Sequence, residues 1–269
     1  MKRFMNRYRL RSGLLSLLLL TGTPIALSQD PSDAEIDEIL DEEAAPLEVN
    51  DPIEGANRGV FWFNDTLDVY LLEPIARGYD YLVPDRAQES IGNFFDTLRY
   101  PIYLFSDLVS GDMTRAGEDS ARFGINATIG FLGFFDVAEN FGFERQATDA
   151  GVAFGKLGVP EGPYIVLPVL GPSNARDAVG EIVNFALDPL AAVQFSQIAN
   201  STQTAITTGG GVGRTINRRS QMLANVKSAK EASVDYYLFV QSAYTQYRRG
   251  LIKGESSEDR ALFDTRIDD

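Results

Sequence analysis

The sequence predicts an all-α fold, and three observations predict it. Apolar residues recur at helical spacing through the body of the chain, no run alternates as a β-sheet strand would, and the remaining apolar stretches are too short to span a bilayer. At 269 residues and 44% hydrophobic content, the chain can bury a sizeable core.

The elements follow in chain order. Lys2, Arg3, Arg7, Arg9 and Arg11 precede a short apolar run at residues 14–20, and Ala26-Leu27-Ser28 ends in a small-x-small pattern. Residues 1–28 therefore read as a cleavable signal peptide, because the run falls short of the roughly 20 residues a spanning helix needs. Thr23 stands where a bacterial lipobox has its cysteine, so no thioether lipid is expected. Residues 29–49 carry nine acids and no base, the composition of a disordered acidic leader. A similar tail begins at Glu255, which leaves residues 50–254 as the folded body and 255–269 as the acidic tail.

Within the body, residues 60–72 form a helix of unusual character. Asn64, Asp65 and Asp68 fall in one wedge, while Phe63, Leu67, Val69, Tyr70 and Leu71 spread round the remainder, an apolar arc too wide for one neighbouring helix to cover. Ile91, Phe95, Leu98, Ile102, Phe105 and Val109 share one stripe, and Pro101 should kink that helix. Further helices are expected at residues 112–126, at 174–187 with Ser173 as N-cap, at 203–230 and at 234–251. Residues 164–170 fit a short extended piece. The glycines and prolines of residues 151–172 predict a long turning connection. Residues 129–135, an apolar run broken by Gly130 and Gly133, are also non-helical by pattern.

Composition restricts function sharply. With neither histidine nor cysteine, the chain can hold no Ser-His-Asp or Cys-His nucleophile, no thiol redox centre and no zinc site built on nitrogen or sulfur. The paired carboxylates Asp65/Asp68 and Glu118/Asp119 read as solvated helix faces. No catalytic, cofactor-binding or metal site is predicted. A net charge of −14 argues against a nucleic-acid partner.

Two features carry functional candidates. The first is the positive stretch Arg214, Arg218, Arg219, Lys227 and Lys230, since no acid lies between Asp188 and Glu231. Those cations fit phosphate head groups or an anionic partner, and equally fit a helix balancing the acids of its neighbours. The second is Gly130, Phe131, Leu132, Gly133, Phe134 and Phe135, which serve either as a buried core turn or as an apolar surface entering lipid.

The chain also resembles the VacJ (MlaA) family of outer-membrane phospholipid-transport proteins. The resemblance begins at Asp51, Pro52, Glu54, Gly55, Asn57 and Arg58, and continues through Phe63-Asn64, Ile91-Gly92-Asn93-Phe94-Phe95 and Arg122-Phe123-Gly124-Ile125-Asn126. It goes on with Phe135-Asp136-Val137-Ala138, Gly162-Pro163-Tyr164, Gly171-Pro172-Ser173 with Arg176-Asp177, and Ala243-Tyr244 with Arg248. It implies a ring-like bundle of amphipathic helices lying in the periplasmic leaflet of the outer membrane, without enzymatic activity. Such a ring passes mislocalised phospholipid from the outer leaflet, beside a trimeric porin, to a soluble periplasmic carrier. The 129–135 segment would then be a gate on the lipid path. Two departures stand out: Thr23 replaces the lipidated cysteine, and Ala56 occupies a position where Phe is common. The alternative is a soluble periplasmic scaffold or binding protein whose apolar arcs bury one another.

Overall fold

The computed structural model describes residues 48–196 and 200–254. The expected signal peptide, nearly all of the acidic leader and the acidic tail lie outside the described residues. Within them the fold is helical, with one small antiparallel hairpin.

A continuous helical rod opens the fold. Helix α1 (Glu54–Leu67) runs into a π-helical turn at Asp68–Leu72 and on into α2 (Glu73–Leu82). Pro74 lies in the first turn of α2 and has no N–H to donate, and just before it Glu73 donates to the Asp68 carbonyl five residues back. Next come α3 (Asp85–Leu98), α4 (Tyr100–Ser110) and α5 (Met113–Thr128), the last capped by Asp112, whose side chain accepts from Arg115 N at 3.1 Å. The expected kink at Pro101 is a full break: the chain leaves the helix at Arg99 and restarts with Pro101 in the first turn of α4, where its missing N–H costs nothing.

The expected connection over residues 151–172 is corrected in its first part, where α6 (Ala150–Lys156) is a helix capped by Asp149. Its glycines serve close packing rather than turning. A methyl group at Gly180 would stand 2.5 Å from Gly151 N, and one at Gly151 would stand 2.5 Å from Asp177 Oδ1. This lets α6 sit at the centre, against α4, α7 (Ala175–Leu187) and α11 (Tyr236–Lys253).

Strands β1 (Tyr164–Leu167) and β2 (Gly171–Asn174) pair with Tyr164 opposite Asn174 and Leu167 opposite Gly171. Asn174 both ends β2 and caps α7 by accepting from Asp177 N at 2.8 Å, which corrects the expected cap at Ser173 by one residue. Short α8 (Pro189–Ala192) follows. The expected helix at 203–230 is two helices, α9 (Asn200–Gln221) and α10 (Leu223–Ala232), parted at Met222.

The rod and the hairpin are joined by two asparagines. Asn57 accepts from Val166 N at 2.9 Å and donates to Tyr164 O at 3.0 Å; Asn64 accepts from Val169 N at 2.8 Å and donates to Leu167 O at 2.9 Å. Seven helical residues rise about 10.5 Å and three strand residues about 10 Å, so this spacing matches helix to strand edge. Each amide stands in for a neighbouring strand. Around this seam Tyr164, Val166 and Tyr237 form an apolar cluster, packed by Val60, Phe61 and Tyr244.

Asn57→Ala strands a buried N–H and C=O on β1, and should cost about 2–4 kcal/mol. Asn64→Ala, at an exposed hydrogen bond, should cost about 1 kcal/mol or less. Denaturant unfolding in detergent solution measures both, and equal costs would contradict the seam.

Candidate functional site: a polar interior under an apolar surface

The described residues are arranged opposite to the usual soluble pattern. Six of the buried apolar residues are alanines, whereas Arg122, Arg176, Arg248, Asp107, Asp119 and Asp177 are all buried. Outside, Trp62 is 69% exposed, Tyr81 89%, Leu82 76% and Ile182 70%, among many other large apolar side chains. The polar wedge of the first helix therefore points inward: Asp65 meets Lys230 at 2.6 Å and Asp68 meets Arg219 at 2.7 Å. Burying one such apolar side chain contributes about 1.5–3 kcal/mol, and a domain has only about 5–15 kcal/mol of net stability. A surface with this many exposed in water has no equal compensation, so it calls for an apolar medium or partner.

Three polar centres hold the interior together. At the first, Arg248 reaches Asp149 at 2.6 and 2.9 Å and Asp177 at 2.7 Å, while Tyr244, Asn174 and Arg176 also donate to Asp177. Burial alone raises the pKa of Asp177; hydrogen bonds and charge from Arg248 reverse it, and the carboxyl ends below its ordinary range. A cavity of about 170 Å³ opens beside this centre, between Glu181, Asn184 and the apolar Leu167 and Leu170.

The second centre is Asp51, which accepts from Asn57 at 2.8 Å, from Gln241 at 2.8 Å and from the Tyr237 hydroxyl. Arg58 lies 4.4 Å over the Tyr237 ring and pairs with Asp235 at 2.9 Å and Glu54 at 2.7 Å. The stretch Asp51, Pro52, Glu54, Asn57 and Arg58 thus ties the start of α1 to β1 and α11. Nothing in the structure requires glycine at Gly55, where a methyl would meet open space.

The third centre holds the 129–135 segment. Arg122 donates to Asp136 at 2.7 Å and to the Phe143 carbonyl, Asn126 donates to Asp136 at 2.9 Å, and Arg145 bridges Asp136 at 3.0 Å to Asp96 at 2.5 Å. Between these anchors Phe131, Leu132 and Gly133 all have positive φ, at 53°, 59° and 88°. Two of the three bear side chains that disfavour that region, so the turn is held by its surroundings. Gly130 and Gly133 are required, because a methyl at the first would overlap the Phe135 carbonyl and one at the second the Thr97 side chain. Phe134 stacks on Phe94 with ring centroids 4.9 Å apart, while Phe131, Leu132 and Phe135 are exposed. A wholly buried core turn is excluded for those three.

The basic stretch does not gather into one patch. Arg214 pairs with Asp188, Arg219 with Asp68 and Glu73, Lys227 with Glu231, and Lys230 with Asp65. Arg218 is exposed and enters no ion pair among the described residues.

The buried carboxyl of Asp107 is not satisfied in this way. Neither oxygen of Asp107 on α4 has a hydrogen-bond partner, and Asp119 on α5 is its neighbouring carboxyl. Burial, then the charge of Asp119, pushes the Asp107 carboxyl up to about 7.

This arrangement coincides with a family pattern: the family model for MlaA lipoprotein matches residues 49–250. The chain belongs to the MlaA lipoprotein family. An MlaA of Escherichia coli (strain K12), an intermembrane phospholipid transport system lipoprotein, is 29% identical over 73% of this chain and 76% of its own length. An uncharacterised protein of Rickettsia felis is 37% identical over 54% of this chain, and the match spans 58% of that relative's length. The fold is also similar to a solved chain from work on the structural basis for maintenance of bacterial outer membrane lipid asymmetry. That similarity has a TM-score of 0.64 and 30% identity, over 75% of this chain and 98% of the other.

Asp107 and the Arg248 centre predict opposite pH responses. The folded-state pKa of Asp107 is raised, so its contribution is full below about pH 4 and lost as pH rises through about 7. Asp149 and Asp177 are lowered, so theirs is present above about pH 4 and lost as pH falls. Stability should therefore peak near pH 4, fall by about 2–4 kcal/mol between pH 4 and about 7, and level off above that. Thermal midpoints across that range check it, and Asp107→Asn should flatten the alkaline limb; an unchanged limb would contradict the assignment.

Proposed function

We propose that this chain is the outer-membrane component of an intermembrane phospholipid transport system, removing mislocalised phospholipid from the outer leaflet and passing it to a soluble periplasmic carrier. The observation that carries this reading is the inversion of polarity: buried arginines and carboxylates under a surface of Trp62, Tyr70, Tyr81, Ile182 and Phe185. No helix among the described residues is long and apolar enough to cross a membrane. An apolar belt on short helices suits a ring lying in one leaflet, the periplasmic one, with an amphipathic lipid moving through its polar inside. The names borne by the Escherichia coli relative and the solved chain point the same way.

In this reading the protein is a passive conduit rather than an enzyme. It sits beside a trimeric porin, and the strained 129–135 turn is the gate, its exposed Phe131 and Leu132 at the lipid entrance. With Thr23 in place of a lipidated cysteine, export by the 1–28 signal leaves no covalent lipid, and the apolar belt supplies retention. A soluble scaffold would need its apolar arcs to cover one another, and the exposures disfavour it.

Deleting the protein should leave phospholipid in the outer leaflet and sensitise cells to detergent with chelator; unchanged surface phospholipid would sink the transport reading. For the gate, Leu132→Asp places a charge at an exposed apolar tip, at a cost of about 2–3 kcal/mol at membrane depth. It should keep normal protein abundance and alter the envelope phenotype. Lost abundance instead marks a purely structural turn, which steady-state protein level measured beside detergent sensitivity decides.

A further inference from the structure

Glu181 is the one charged residue on the exposed side of α7. The exposed residues of that helix are Val179, Glu181, Ile182, Phe185 and Ala186, so a carboxylate stands in a surface of hydrocarbon side chains. Spacing explains its position. Asp177, Glu181 and Asn184 follow one another at four and three residues, which puts them on one face of the helix, while Val179, Ile182 and Phe185 follow at three and three on another. The polar face lines the cavity of about 170 Å³ beside the Arg248 centre. Leu170, at the tip of the hairpin, is part of the same wall and is exposed. It follows Val169, a β-branched residue at a φ of 68° whose N–H donates to Asn64 at 2.8 Å, so the tip is held in place against its own strain.

The charges lining this cavity do not cancel. Arg248 answers Asp149 and Asp177, Arg176 is a second partner to Asp177, and no ion pair among the described residues reaches Glu181. Asn184 donates to its Oε2 at 3.0 Å, and Oε1 has no partner among the described residues. A carboxylate without a cation is costly beside an apolar surface, and more so where that surface faces hydrocarbon. No group of three acids among the described residues is placed to hold a metal ion. One free carboxylate between a polar cavity and the exposed Leu170 and Ile182 suits a monovalent ammonium that carries acyl chains.

We propose that this cavity takes the ammonium head group of an aminophospholipid, with Glu181 as its counter-ion, and so favours that lipid over an anionic one. This deepens the transport reading and rests on it. The test uses the full mature chain in detergent, read by native mass spectrometry. Its probes are short-chain phosphatidylethanolamine, the same lipid with its amine acetylated, phosphatidylglycerol of equal chain length, and free ethanolamine. Phosphatidylethanolamine should bind about 10-fold more tightly than the acetylated lipid or phosphatidylglycerol. Glu181→Gln keeps an acceptor for Asn184 and should abolish that preference, and Glu181→Lys should reverse it towards phosphatidylglycerol. Because Glu181 is exposed and enters no ion pair among the described residues, both variants should keep the thermal midpoint of the parent.

Equal binding of the three lipids by the parent overturns the proposal, as does a preference that survives Glu181→Gln. A lowered midpoint with equal loss for every lipid also overturns it, since the carboxylate would then be structural. Free ethanolamine binding as tightly as the lipid does the same, because the site would then serve a soluble amine. The two readings fail separately. Selective binding by a protein whose deletion leaves surface phospholipid unchanged removes transport and keeps the site; binding blind to the ammonium, in a protein whose deletion leaves phospholipid in the outer leaflet, removes the site and keeps transport.

Discussion

A buried charge must be paired, and in this fold Arg248 is the charge on which the others depend. It comes from α11, and its partners Asp149 and Asp177 precede α6 and open α7, so three helices meet at one guanidinium. Both carboxylates also cap helices or belong to a capped first turn, so the hydrogen bonds that end the helices also fix their relative positions. Removing one partner of such a set typically costs about 3–5 kcal/mol, because the rest is left charged and dry. Gly151 and Gly180 serve the same end, since only glycine lets α6 and α7 come close enough for Arg248 to reach both carboxylates.

With these polar groups turned inward, much of the chain's large apolar side-chain area is left outside. In water that surface would be an aggregation hazard; against acyl chains it costs nothing. Under the proposed function, the same arrangement links stability to transport. The anchors of the 129–135 turn are ion pairs, Arg122 with Asp136 buried and Arg145 with Asp136 at the exposed side, so a ligand that competes for them acts directly on the turn.

Helix existence was legible in the sequence because apolar spacing repeats with the helical period, and the wedge of Asn64, Asp65 and Asp68 was found correctly. Its direction was not. Periodicity separates two faces of a helix without saying which faces inward, and the usual rule of apolar inside is the one this fold inverts. Residues 151–172 were misread for a related reason: Gly151 and Gly155 look like turn signals, whereas here they serve helix contact. Breaks at Arg99 and Met222 escaped because the apolar stripe runs across them. The buried pairs of Asp149 and Asp177 with Arg248 join residues about 70 to 100 positions apart, a distance at which one sequence shows no pairing. The signal present was indirect: isolated Arg and Asp residues among small and apolar neighbours, as at Arg176-Asp177 before Gly180.

The central claim is that the outer surface faces hydrocarbon, and the chain carries its own probe of it. Trp62 is the only tryptophan and lies exposed on α1. In bilayers containing brominated phospholipid, its fluorescence should shift to the blue and be quenched by bromines placed along the acyl chain. Emission that stays at the wavelength of tryptophan in water, unquenched by those lipids, would contradict the account.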